Sequence, residues 1–162
     1  MVTGQAASVG IYRALEKQNN LPGSMTFETN GTQTLREPFK EWVRHIDTEV
    51  FFSVSPKLFT VSGEKTEKAI KPYNVAEYYK LSKSGQLKFV VGGTDREWEE
   101  LEATIGKFRD AGVEWPVWVM PTGAREEEQT DTAGKVAEKA FKKGYNVAAR
   151  VHVYLFGNAI GT

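Results

Sequence analysis

The chain has 162 residues, 40 % of them hydrophobic, with 21 basic and 21 acidic side chains and no cysteine. That length and apolar share suit one domain, 1–162, with a real core, and the balanced charge argues against a nucleic-acid or other polyanion binder, since such domains are usually basic. The missing thiols exclude disulfides and any thiolate-held metal or iron–sulfur cluster within the chain. No apolar run reaches the roughly 18 residues that span a bilayer. The opening MVTGQAASVG lacks the basic start and apolar stretch of a signal peptide. No membrane partner is therefore expected, and a cytoplasmic setting is.

Taken in chain order, the pattern alternates helix and strand. The first helix is expected over 6–18, with Ala7, Ile11, Ala14 and Leu15 inward. SMTFETN (24–30) reads as a strand. A short helix near 34–44 is expected to be interrupted by Pro38. EVFFSVSP (49–56) is the next strand, and the polar, Lys-rich VSGEKTEKAIK (61–71) reads as a mobile surface loop. A helix with Val75, Tyr78 and Tyr79 follows Asn74, then the strand LKFVVGG (87–93).

Thr94 with Glu97 three residues on forms a capping box. It opens a helix whose inner stripe is Trp98, Leu101, Ile105 and Phe108, ending before Gly112. WPVWVMPT (115–122) is a strand. Over 130–143, Ala133, Val136, Ala137, Ala140 and Phe141 recur at one-face helical spacing, with Gly144 at the left-handed C-cap position. VAARVHVYLF (147–156) reads as the last strand. FFSV, KFVV and VWVM are continuous apolar runs, the pattern of parallel strands covered on both faces. The expected fold is α/β, a parallel sheet of about five to six strands with covering helices.

In parallel α/β folds, ligands bind beyond the carboxyl ends of the strands. Those ends hold Glu28-Thr29-Asn30-Gly31-Thr32, Ser55-Pro56-Lys57, Gly92-Gly93-Thr94 and Met120-Pro121-Thr122-Gly123-Ala124-Arg125. One edge of the sheet thus collects hydroxyls, an amide, a lysine, an arginine and open backbone; the plainer reading is that loops are polar everywhere. Arg150 and His152 lie in the last segment. His152 alternates with Val151 and Val153 and points away from them in a strand; it reads as a structural histidine or as a substrate contact. His45 reads as a surface residue. Glu126, Glu127 and Glu128 read as solvated charge at a helix start, and Gly92-Gly93 lacks any fuller phosphate-binding fingerprint. There is no nucleophile elbow and no Ser/His/Asp motif.

FETNGT, SVSPKL, LKFVV, VWVMPTG and the closing ARVHVYLFGNAIGT stand in the order and spacing of 7-carboxy-7-deazaguanine synthases. These are radical S-adenosylmethionine lyases of queuosine biosynthesis. The resemblance covers essentially all of this chain, but only the later half to two-thirds of a family member. It implies a (β/α) partial barrel with S-adenosylmethionine across the strand ends. Gly4, Asn30, Ser55, Pro56, Lys57 and Pro121 would contact S-adenosylmethionine by that resemblance. Thr3, His152 and the terminal Thr162 would contact the pterin substrate.

There are departures. The family's TGGEP is matched here only by Thr3 and Gly4, and Met120 stands where many members have Gln before the proline; a thioether lacks the amide's donor and is only a weak acceptor. The three cysteines that hold the family's [4Fe–4S] cluster have no counterpart, and the threonine that meets its magnesium ion belongs to the same region. The resemblance implies an S-adenosylmethionine- and substrate-binding half, inactive alone in the ring contraction of 6-carboxy-tetrahydropterin. A cluster-bearing second polypeptide or a homodimer is the expected partner, because a barrel fragment exposes a sheet edge. The alternative is a non-catalytic decayed paralogue acting as a binding or structural protein.

Overall fold

Five strands, β1 (Ser24–Thr29), β2 (Glu49–Val54), β3 (Gly85–Val91), β4 (Val117–Pro121) and β5 (Asn146–Val147), lie side by side in the order of the chain. Every neighbouring pair is parallel. This computed structural model describes residues 4–123 and 126–156. Because each crossover advances by one strand and right-handed crossovers are the rule, the connecting helices gather on one face. The result is an α/β fold with a parallel sheet, consistent with a partial barrel-like arrangement. The helices are α1 (Gln5–Lys17), α2 (Glu37–His45), α3 (Phe59–Ser62), α4 (Thr66–Ala69), α5 (Pro72–Leu81), α6 (Asp95–Asp110), α7 (Glu126–Lys142) and α8 (Val151–Phe156). None of the described helices is long and apolar enough to cross a membrane.

Period-two alternation sorts the strand residues. Phe27, Val50, Phe52, Val54, Leu87, Phe89, Val91, Val117 and Val119 turn to the helices and are buried. They meet Trp98, Leu101, Ile105 and Phe108 of α6 and Val136 and Ala140 of α7 in one core. On the opposite side Phe51, Lys88, Val90, Trp118 and Met120 are only partly buried, and Ser53 is covered. The apolar runs therefore do not mean full cover on both faces. Helices on one side leave the other as a semi-open floor, which apolar residues can line.

The α6 stripe and its capping box are as expected: Thr94 Oγ1 accepts from Glu97 N at 3.4 Å, and Glu97 Oε2 accepts from Thr94 N at 3.0 Å. Other expectations need correction. Pro38 does not interrupt α2 but sits in its first turn, where a missing N–H costs nothing. α1 turns Gln5 and Tyr12 inward, leaving Ile11 61 % exposed. Tyr12 decides this, since its ring meets Trp42 edge-to-face at 5.3 Å and its hydroxyl pairs with Thr48 Oγ1 at 3.2 Å. In α7, Phe141 lies outside the buried stripe and is 68 % exposed.

The expected loop 61–71 contains part of α3 and all of α4, and buries Ala69 and Ile70. The expected last strand shrinks to Asn146–Val147, and 151–156 is helical. Register explains it. Val147 is opposite Val119 and Ala148 N donates to Val119 O at 2.8 Å, after which β4 has only Met120 and Pro121 left to pair with. His152 is thus on α8, not on a strand.

Candidate functional site

A cleft of about 420 Å³ opens at the carboxyl ends of β1 to β4, lined by Glu28, Thr29, Asn30, Ser53, Ser55, Lys57, Lys88, Val90, Met120 and Arg150. Its volume falls in the range of roughly 300–1,000 Å³ usual for small-molecule sites.

The first wall is the turn after β1. Thr29 Oγ1 accepts from Gly31 N at 3.1 Å, and Asn30 Oδ1 accepts from both N and Oγ1 of Thr32, at 3.1 and 2.8 Å. Such side-chain-to-backbone bonds are how Asn and Thr build turns. Gly31 has φ +80°, and a Cβ there would lie 2.8 Å from Val75 Cγ2. The rest of the loop is held from outside. Asn74 Nδ2 donates to Thr32 O at 2.9 Å and the Tyr78 hydroxyl to Gln33 O, while the Gln5 amide bridges Thr34 O at 3.0 Å and Arg36 N at 2.8 Å.

Burial pushes the Tyr78 phenol up to about 12, despite an opposing hydrogen bond with Thr29. It therefore stays protonated and donates. Tyr78→Phe strands the Gln33 carbonyl and is expected to cost about 1–3 kcal/mol, read as a lower urea midpoint with unchanged m-value.

The second wall is the turn after β2. Ser55 N donates to Thr29 O at 2.7 Å, so the two strand ends are tied together. Pro56 and Leu58 are buried and Lys57 between them is exposed. The floor comes from the semi-open sheet face. Gln86 Nε2 donates to Ser53 Oγ at 2.9 Å, and Lys88 Nζ reaches over β2 to Glu28 Oε1 at 3.5 Å. Arg150 closes the far side, with Nε 3.2 Å from the Met120 sulfur and Nη1 donating to Gly123 O at 3.2 Å. Lys57, Lys88 and Arg150 against Glu28 make the lining net positive in a chain of zero net charge. Such a cleft suits a ligand with an anionic group. Glu28 remains to accept from an amine or hydroxyl.

Of the residues expected at a site, Asn30, Ser55 and Lys57 converge here. Pro56 and Pro121 are buried beside it and shape the walls rather than line them. Gly4 is the N-cap of α1, next to the Gln5 that holds the loop 34–36, and does not line the cleft. Thr3 and Thr162 lie outside the described residues, as does the His152 side chain. Ser53 and Lys88 were missed, yet alternation with buried Phe52, Val54, Leu87 and Phe89 places them on the other face. Among the described residues no group of three or more His, Asp or Glu could hold a metal.

No family model matches the chain, and no solved structure does. Among curated proteins, the chain is similar to a 7-carboxy-7-deazaguanine synthase of Pyrobaculum aerophilum, 31 % identical over 140 residues. The match covers 86 % of this chain and 55 % of that protein, so the chain spans about half the length of the curated relative it matches. The likeness supports a distant relationship.

Proposed function

We propose that the strand-end cleft binds S-adenosylmethionine. The chain would supply the S-adenosylmethionine- and pterin-binding walls for the ring contraction of 6-carboxy-tetrahydropterin to 7-carboxy-7-deazaguanine. The observation that carries this reading is the convergence of Asn30, Ser55 and Lys57, from two separate sequence motifs, in one cleft.

The donor set fits the ligand. Lys57 and Arg150 offer N–H groups to the methionyl carboxylate, Glu28 accepts from its ammonium or from ribose hydroxyls, and Ser53, Ser55 and Asn30 offer neutral partners. When bound, S-adenosylmethionine would supply the radical chemistry of that reaction. The residues here bind and orient it and keep one face of the cleft apolar through Val90 and Met120. A [4Fe–4S] cluster does not fit, because the chain has no cysteine to hold it. Nor do the described residues offer a metal cluster for magnesium. The electron therefore has to come from elsewhere, and the reading includes a cluster-bearing second polypeptide or a homodimer completing the site. β1, which pairs only with β2 among the described residues, is one edge available to it.

A non-catalytic binding protein is the second reading, and two observations favour it. Gln5, which follows the matched Thr3-Gly4, spends its amide on the loop 34–36, and Met120 offers Arg150 a sulfur in place of an amide. A cluster-bearing polypeptide that co-purifies with the chain decides for the enzyme; a chain that binds ligand yet recruits none decides for the binding protein.

Binding itself is tested by calorimetric titration of S-adenosylmethionine. Lys57→Ala is expected to weaken it at least about tenfold, since a hydrogen bond to a charged group contributes about 1.5–3 kcal/mol. Equal affinity in the variant, or no heat with the parent chain, overturns the assignment.

A further inference from the structure

We propose that Glu100, which lies outside the cleft, is a positioning residue for its Ser55–Lys57 wall; the inference rests on reading that cleft as a binding site. Glu100 sits on α6, and its carboxylate takes three hydrogen bonds from a single remote segment. Oε1 accepts from Phe59 N at 2.7 Å, and Oε2 accepts from Thr60 N at 2.8 Å and Thr60 Oγ1 at 2.6 Å. Those donors form the first turn of α3, a helix of four residues whose N-cap, Leu58, has no capping side chain. The first N–H groups of a helix need acceptors, and a carboxylate at that end also complements the helix dipole. Glu100 provides from α6 the cap that the local sequence lacks.

The consequence falls on Lys57. Upstream, Ser55 N is tied to Thr29 O, and Pro56 is buried with its φ fixed by its ring. Downstream, Leu58 is 2 % exposed and Phe59 is pinned by Glu100. Lys57 is the exposed link between two clamps, and only the downstream clamp depends on a side chain outside the turn. The packing of α6 does not need this group, since Trp98, Leu101, Ile105 and Phe108 supply its buried stripe. Burial acts to push the Glu100 carboxyl up, but hydrogen bonds from Thr60 and Phe59 and the charge of Arg96 outweigh it. The group lies below its ordinary value of 4.5 and is ionised at neutral pH, as the three bonds require.

The test uses the absence of cysteine, which makes any introduced thiol unique. A nitroxide is attached at Lys57→Cys, or at the exposed Lys107→Cys on α6 as control, in chains carrying Glu100, Glu100→Gln or Glu100→Ala. Both Glu100 variants are expected to sharpen the spectrum at position 57, Ala more than Gln, and to leave that at 107 unchanged. Thr60→Val, which removes one donor, gives a smaller sharpening. Unchanged spectra at 57, or equal sharpening at 57 and 107, overturn the proposal. If Glu100→Ala does not fold, the near-isosteric Glu100→Gln and Thr60→Val still decide. With Lys57 restored, Glu100→Gln is expected to weaken S-adenosylmethionine about tenfold, and unchanged affinity also counts against the proposal. A parent chain that does not bind sinks the ligand assignment alone, because the spectra at 57 need no ligand.

Discussion

Gly31→Ala is expected to lower the unfolding free energy by about 3 kcal/mol, the sum of left-handed backbone strain and overpacking. The backbone there has φ +80°, which an L side chain rarely adopts, and a Cβ would lie 2.8 Å from Val75 Cγ2 and 3.0 Å from Val54 Cγ1. Neither neighbour can step aside easily, since both valines are 0 % exposed. The turn must then open, which breaks the Gly31 N bond to Thr29 Oγ1 and swings Asn30 away from Ser55. Stability and the cleft should fail together. Urea unfolding checks the first, and loss of S-adenosylmethionine heat checks the second. A midpoint within about 0.5 kcal/mol of the parent, the range of a neutral surface change, contradicts the described geometry.

Phe52→Ala is expected to cost about 3–5 kcal/mol, as buried aromatic truncations do. Phe52 is 0 % exposed and sits where three elements meet. Its ring centroid is 5.2 Å from Tyr78, 5.7 Å from Phe27 and 6.1 Å from Trp115. Gly85 is held beneath the same cluster, with no room for a Cβ against Trp115 or Phe52 O. A cavity here cannot collapse without moving β2, which ends at Val54 and leads directly into Ser55. Since domains are stable by only about 5–15 kcal/mol, the variant should be partly unfolded at 37 °C, seen as a lost near-ultraviolet dichroism signal. A cooperative transition near the parent's midpoint is the opposing result.

The sequence made the parallel α/β order legible because its signals are local. The Thr94–Glu97 box, the Trp98–Phe108 stripe and the Val-rich strands each specify their own element, and order alone then fixes the sheet. The failures came where a distant partner decides. α1 follows Tyr12, because Trp42 on α2 and Thr48 in the turn before β2 wait for it. α3 is a helix because Glu100, 41 residues from Phe59, caps it. VHVYLF has strand-like residues but no strand left to pair with. The site showed the same division: Asn30, Ser55 and Lys57 were readable as strand-end motifs. Lys88 was hidden inside KFVV, where a run of apolar neighbours masks the alternation that turns it to the floor.

The most direct test of the account is nitrogen–proton NMR mapping of the chain titrated with S-adenosylmethionine. Saturable shifts are expected at Glu28, Asn30, Ser53, Ser55, Lys57, Lys88 and Arg150, with little change along the exposed side of α6 or α7. Saturable shifts centred elsewhere, or none at millimolar ligand, would contradict it.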